Sequence, residues 1–220
     1  MNVKEIKGRI PEKVFTLFES SITEFRPAQV KAINAGLLEG KNVLICTPTA
    51  SGKTLIGELA AVKTILENKK KAVYIVPLKA LASEKYKEFK KKYEHVFTVA
   101  LSIGDFDTTE ARLSEYDLII TTSEKLDSLI RHHSPWVTRI GCIIVDEVHL
   151  LNDPGRGPTL EIVLTILRSI LPKAQIVALS ATIGNPKELA EWLNAALIVD
   201  EWRPVKLEKG IYYDGEIEFD

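Results

Sequence analysis

Six short runs, at residues 42–46, 72–76, 98–103, 117–121, 142–145 and 175–179, are largely apolar from end to end and do not alternate. A strand with one wet face alternates, whereas one covered on both faces does not, so these runs predict the inner strands of a doubly covered sheet. Stretches of helical periodicity follow them at 55–68, 80–93, 108–114, 123–131, 159–171 and 186–193, and two more lie at 14–21 and from Pro27 to about 38. Pro27 suits a first helical turn, where its missing N–H has no partner to lose. Strands alternating with helices require crossover connections, hence a mainly parallel sheet with helices on both faces, an α/β domain of three layers. Ligands of such sheets bind beyond the carboxyl ends of the strands. No repeat or low-complexity tract breaks the pattern. The runs Lys69-Lys70-Lys71 and Lys90-Lys91-Lys92 fall at helix ends, where cations offset the helix dipole, and are expected to form a solvated face.

Composition narrows the picture only a little. A chain of 220 residues that is 45% hydrophobic and 27% charged is ordinary for one soluble globular domain. A net charge of −1 excludes a uniformly basic nucleic-acid coat, so any such contact must be local and use backbone amides beside Lys and Arg. Cys46 and Cys142 both fall on predicted buried strands, too few for a disulfide framework. Residues 1–11 hold no apolar signal core, and no run approaches the ~20 apolar residues of a membrane span. The expected location is the cytoplasm, with no membrane partner.

Chemistry enters where the first apolar run meets the next helix, at Thr47-Pro48-Thr49-Ala50-Ser51-Gly52-Lys53-Thr54. Backbone N–H groups of such a loop and of the helical turn after it face an anion, and the helix dipole adds partial positive charge. Gly52 lets the backbone come close, Lys53 would reach the β- and γ-phosphates, and Thr54 would place its hydroxyl on Mg²⁺. Thr47 stands where the general G-x-x-x-x-G-K-[ST] pattern has its first glycine. The plainer alternative is an ordinary strand-to-helix turn, but a lysine there opposes the dipole unless an anion is present.

The run at 142–145 ends in Asp146-Glu147-Val148-His149. A buried strand carries two carboxylates at its tip only where the tip meets water or a cation. After a phosphate loop, Asp146 is the expected metal residue opposite Thr54, and Glu147 the general base for an attacking water. Lys53, Asp146 and Glu147 are thus the expected catalytic set. No G-x-S-x-G or H-E-x-x-H motif competes with this reading. His132-His133 reads as a cationic helix end, and Trp136, Trp192 and Trp202 as packing anchors.

Together, the loop at 47–54, Asp146-Glu147-Val148-His149 and Ser180-Ala181-Thr182 resemble motifs I, II and III of the superfamily 2 DExH-box helicases. Pro77-Leu78-Lys79-Ala80-Leu81-Ala82, Gly104-Asp105-Phe106, Thr121-Thr122-Ser123-Glu124-Lys125, Arg156-Gly157-Pro158-Thr159-Leu160-Glu161 and Trp202-Arg203-Pro204-Val205 are similar to the Ski-two-like group, and to its archaeal DNA repair helicases in particular. The resemblance covers essentially the whole chain and implies a RecA-like P-loop NTPase domain that binds ATP and Mg²⁺. In this superfamily the first loop glycine is often missing, as at Thr47.

The same resemblance implies roles for further residues. Phe25-Arg26-Pro27-Ala28-Gln29 matches an adenine-reading motif, which adds Phe25 and Gln29 to Thr49, Ala50, Ser51, Gly52, Lys53 and Thr54 in the nucleotide set. His149, Ser180 and Thr182 become coupling residues that relay nucleotide state. Lys79, Ala80, Leu81, Thr122, Ser123 and Lys125 form the nucleic-acid track, at strand-to-helix junctions suited to backbone phosphate and equally to helix capping. Residues 1–205 are expected as the first motor domain, with adenine-motif helices at 12–40, and 206–220 as the start of a linker. A second RecA-like domain would supply the arginine that phosphoryl transfer needs. The expected function is an ATP-driven DNA motor acting on single-stranded or forked DNA. An RNA helicase, since phosphate contacts do not report a 2′-hydroxyl, and a non-hydrolysing nucleotide switch are the alternatives.

Overall fold

The structure, a computed structural model, describes residues 1–104, 110–205 and 210–219. Among them, seven strands form one sheet: β1 (Val43–Cys46), β2 (Lys71–Val76), β3 (Val99–Ser102), β4 (Leu118–Thr122), β5 (Ile140–Val145), β6 (Gln175–Ser180) and β7 (Ala196–Val199). Their order is β3-β4-β2-β5-β6-β1-β7, and every neighbouring pair is parallel. The helices are α1 (Glu12–Ser21), α2 (Pro27–Asn34), α3 (Lys53–Leu66), α4 (Lys79–Tyr93), α5 (Ser123–Arg131), α6 (Gly157–Ile170) and α7 (Pro186–Leu193).

Because side chains along a strand point alternately to opposite faces, the continuously apolar runs feed two cores at once. Val43, Ile45, Tyr74, Ile120, Ile144 and Val177 pack with α1 to α4. Their strand neighbours Leu44, Val73, Ile75, Ile119, Ile143 and Ile176 pack with α5 to α7 and the fully buried Trp136. This is the three-layer RecA-like arrangement. Both cysteines are buried free thiols, and burial pushes Cys142 up to about 12. No helix among the described residues is long and apolar enough to cross a membrane.

Three features depart from the sequence expectation. Strand β7 follows α7 after a single left-handed turn at Asn194, φ 48°, so its four residues carried no signal separate from the helix. The segment expected as a linker contains an antiparallel hairpin, β8 (Gly210–Tyr213) with β9 (Glu216–Phe219), turned by Asp214 and Gly215, both at positive φ as a tight two-residue hairpin turn requires. The lysine runs are not wholly solvated. Lys71 opens β2 at 4% exposure and its Nζ donates to the carbonyls of Ser114 and Tyr116. Burial holds its pKa below the usual lysine range, with Arg139 pushing the same way. Lys92 turns inward to Glu58 on α3, Nζ to Oε2 2.5 Å, and lies over the Phe18 ring. A long aliphatic stem lets the ammonium reach internal oxygens that a shorter residue would leave bare. Lys71→Met is expected to cost about 1–3 kcal/mol by leaving two carbonyls unpaired, measured by denaturant unfolding.

The predicted helix at 108–114 begins outside the described residues and continues as a 3₁₀ helix, Glu110–Glu115. Asp105 and Phe106 also lie outside them.

Candidate functional site

The loops at 47–54, 77–82, 121–125, 146–149 and 180–182 leave the carboxyl ends of parallel strands, so the sheet brings distant segments to one rim. The loop after β1 is held by its neighbours before any ligand is considered. Thr47 N–H donates to Ser180 O at 3.2 Å, and the Thr47 and Ser51 hydroxyls are 2.7 Å apart. Ala50 and Gly52 take positive φ, 62° and 88°. Gly52 is required on a second ground: a β-carbon there would stand 2.6 Å from Gln29 Nε2 and 3.1 Å from Arg26 Nη1.

Gln29, 3% exposed, is not the solvent-facing helix residue its sequence position alone would suggest. Its Nε2 donates to Gly52 O at 2.9 Å and its Oε1 accepts from Arg26 N at 2.8 Å. Arg26 Nη1 donates to Ala50 O at 2.7 Å, and the guanidinium lies 5.3 Å from the Trp202 ring centre. Phe25 lies in the core shared with α1 to α4, at 6% exposure. Thr49 and Ala50 are exposed at the loop tip and Ser51 is buried.

Lys53, the first residue of α3, donates through Nζ to Thr47 O at 3.1 Å and Ser180 O at 2.9 Å. Burial pulls its pKa below the usual lysine range, while Glu147, then Asp146 and the Cys46 thiol pull it back up. A buried ammonium at the first turn of a helix, where the helix dipole is positive, is a site for an oxyanion. Lys53, Thr54, Asp146 and Glu147 line one cleft of about 480 Å³ together with Arg26, Thr49, Ala50 and Gly52. The far wall is α4, through Leu81, Glu84 and Lys85, and Lys85 Nζ reaches Thr54 Oγ1 at 3.3 Å and Glu88 at 2.9 Å. A second hollow of about 600 Å³ adjoins it across Arg26, Gly52 and Thr54, and is also lined by Gln29 and Glu58.

Asp146 extends the ladder past the tip of β5, with its N–H donating to Ile75 O at 2.8 Å. Its Oδ2 accepts from the Tyr74 hydroxyl at 3.0 Å and its Oδ1 from Glu147 N at 3.1 Å. Burial first, and Asp146 second, push the Tyr74 phenol well above its usual range, so it remains a donor. Glu147 is left-handed, φ 51°, and turns the chain into a 3₁₀ helix, Val148–Asn152. Hydroxyl and carboxylate oxygens at Thr54 and Asp146 are the hard donors Mg²⁺ takes beside substrate phosphates. Among the described residues there is no group of three or more His, Cys, Asp or Glu that could hold a metal ion.

His149 Nδ1 lies 3.4 Å from Ala181 N and 3.3 Å from Glu147 Oε2. One ring nitrogen cannot accept from an amide and donate to a carboxylate together, so its tautomer selects between them. The link from His149 to the Ser180-Ala181-Thr182 segment runs through the Ala181 backbone. Ser180 is fully buried, with its carbonyl on Lys53, and Thr182 is exposed.

A further cleft, about 340 Å³, gathers the ends of β2, β3 and β4 and is lined by Lys79, Gly104, Thr122, Glu124 and Lys125. Lys79 and Ala80 are exposed at the start of α4, whereas the next residue, Leu81, lines the cleft with Lys53. Thr122 and Ser123 are buried, and the Thr122 hydroxyl accepts from Lys125 N at 3.4 Å as the cap of α5. At the other end of α5, His132 Nδ1 lies 2.7 Å from Ser128 O.

Arg26, Glu84 and Lys85 in the cleft, and Tyr74 beside it, had no assigned role from sequence. Only Tyr74 left a readable signal, since a hydroxyl on a strand buried on both faces needs a partner.

The DEAD/DEAH box helicase family model matches residues 26–189. The chain is 57% identical over 210 residues to the ATP-dependent DNA helicase Hel308 of Methanococcus vannielii, covering 92% of this chain and 28% of that protein. It is 51% identical over 216 residues to Hel308 of Pyrococcus horikoshii, covering 98% and 30%. The chain thus spans less than a third of the length of these curated relatives. Among solved structures it is similar to Mycobacterium smegmatis helicase Lhr bound to ssDNA and AMP-PNP, with TM-score 0.76, 28% identity, 91% of this chain and 28% of that one. It is also similar to the DUF1998 helicase MrfA bound to DNA and AMPPNP, with TM-score 0.72, 25% identity, 87% of this chain and 29% of that one.

Proposed function

The chain belongs to the DEAD/DEAH box helicase family, and from that premise we propose that it is the first motor domain of an ATP-dependent DNA helicase, acting in the cytoplasm on single-stranded or forked DNA. The observation that carries the proposal is the single cleft lined by Lys53, Thr54, Asp146 and Glu147, contributed by segments about ninety residues apart in the chain. The relatives' printed names support the DNA reading over the RNA one.

The backbone amides of residues 49–54 and the Lys53 ammonium would hold the triphosphate. Gln29, held against the loop by its bond to Gly52 O, would meet the base from the adjoining hollow. Thr54 and Asp146 would hold Mg²⁺, which supplies charge neutralisation on the phosphates. Glu147 takes a proton from the attacking water as its oxygen bonds to the γ-phosphorus and the bond to ADP breaks. The transition-state arginine comes from a second RecA-like domain, as the class requires. His149, bound to the backbone beside Ser180, passes the state of the site to β6. Lys79 and Lys125 hold DNA phosphates at the neighbouring cleft, and α4 borders both sites.

The test is ATP hydrolysis by the complete protein with single-stranded DNA and with single-stranded RNA. DNA is expected to stimulate it. Stimulation by RNA alone would replace this reading with the RNA helicase. Lys79→Ala and Lys125→Ala are each expected to weaken DNA binding evenly across sequences and to lower the salt slope by about one.

A further inference from the structure

We propose that Tyr74 is a positioning residue for the metal site, holding the Asp146 carboxylate in its metal-binding orientation before the ion arrives. The inference rests on the reading of Asp146 as the Mg²⁺ residue and adds to it a second group, a side chain that touches neither metal nor nucleotide.

The Asp146 carboxylate is fixed at both oxygens, by the Tyr74 hydroxyl at Oδ2 and Glu147 N–H at Oδ1. Each oxygen has two lone pairs, and one donor at each leaves the others free for the cleft while setting the plane of the group. Neither donor carries a charge, so the carboxylate keeps the full negative charge a cation needs. Partners that orient a metal ligand in this way affect affinity without contacting the ion.

Tyr74 can do this because its ring is itself held fast. It is fully buried on β2, and its ring meets Phe89 of α4 edge-on at 5.5 Å and 63°. Phe89 continues through Tyr93 to Phe97, with centroids 5.8 Å and 4.9 Å apart. On the α3 side, Gly57 makes room: a β-carbon there would lie 2.9 Å from Ile144 Cγ2 and 3.5 Å from Tyr74 Cε2. The parallel register sets Tyr74 beside Ile144, two residues before Asp146, so the length of a phenol carries the hydroxyl to the strand tip. A phenylalanine would fill the same space and leave Oδ2 without its donor.

The experiment measures binding of a fluorescent ADP to the complete protein as Mg²⁺ is varied, for the wild type, Tyr74→Phe and Asp146→Asn, with the unfolding midpoint of each. Tyr74→Phe is expected to raise the half-saturating Mg²⁺ concentration about ten- to a hundredfold while leaving ADP affinity in EDTA unchanged. That split separates loss of orientation from general damage, which would weaken both. If Asp146→Asn shifts the Mg²⁺ dependence and Tyr74→Phe does not, the tyrosine proposal is overturned. If neither shifts it, the assignment of Asp146 itself fails and the proposal with it. Should Tyr74→Phe not fold, Phe89→Leu keeps the hydroxyl but loosens the ring: a raised Mg²⁺ requirement supports the proposal and an unchanged one overturns it.

Discussion

Glu147→Gln slows ATP hydrolysis by the complete protein by about a hundred- to ten-thousandfold while ATP binding stays within about twofold, the expectation for a lost general base. Single-turnover phosphate release and equilibrium nucleotide binding, measured side by side, check it. The amide keeps the shape of the side chain and leaves the hydrogen bonds that hold the loop at 47–54 in place, while it removes the charge that supports the Lys53 ammonium. Glutamine must still adopt the left-handed backbone at this position, φ 51°, as glutamate does, so the comparison holds strain constant. If hydrolysis persists near the wild-type rate, Glu147 is not the base and the non-hydrolytic part of its surroundings needs another account. If hydrolysis and binding fall together, the substitution has disturbed the cleft as a whole.

Gly157→Ala is expected to destabilise the fold by about 3 kcal/mol, the upper part of the usual range for forced overpacking. For a chain of this size, that is a fall in Tm of roughly 6–12 °C, read by calorimetry. The cause is local and severe. A β-carbon at Gly157 would stand 2.1 Å from Leu151 O and 2.8 Å from Leu151 C, both backbone atoms that cannot swing aside. Gly157 begins α6 with its N–H on Asp153 O at 2.8 Å, so helix and 3₁₀ turn are pressed together at this point. That turn follows Glu147 directly and carries His149, so hydrolysis should fall as well. Gly155→Ala is the control: its β-carbon would meet only Asp153 Oδ1, at 3.3 Å, and little change in Tm is expected.

The sheet was legible because its strands are buried on both faces, which leaves apolar runs without alternation, and because helical patterns lie between them. The carboxylates at 146 and 147 were legible for the complementary reason, as charges at the end of an apolar strand. What the sequence hid is geometry at close range. Gln29 reads as one polar residue on a short helix, and only the packing of α2 against the loop turns its amide onto Gly52. Lys71 reads as the last of three lysines, but β2 begins there and draws it inside. Tyr74 reads as one more core aromatic, and its hydroxyl gains meaning only when parallel pairing sets it beside β5. The short edge strand β7 and the Asp214-Gly215 hairpin were lost against neighbouring patterns, the first to α7 and the second to an expected linker.

Since all seven strands run the same way, the far rim of the sheet is as instructive as the near one. Gly40, Lys41, Asn194 and Ala195 border an open groove there, just before β1 and β7 begin. Strands of four to six residues, at ~3.3 Å each, set roughly 13–20 Å between that groove and the phosphate loop. A dye or surface anchor attached at residue 41 would therefore sit on the opposite rim from the loop at 47–54 and from the cleft lined by Lys53.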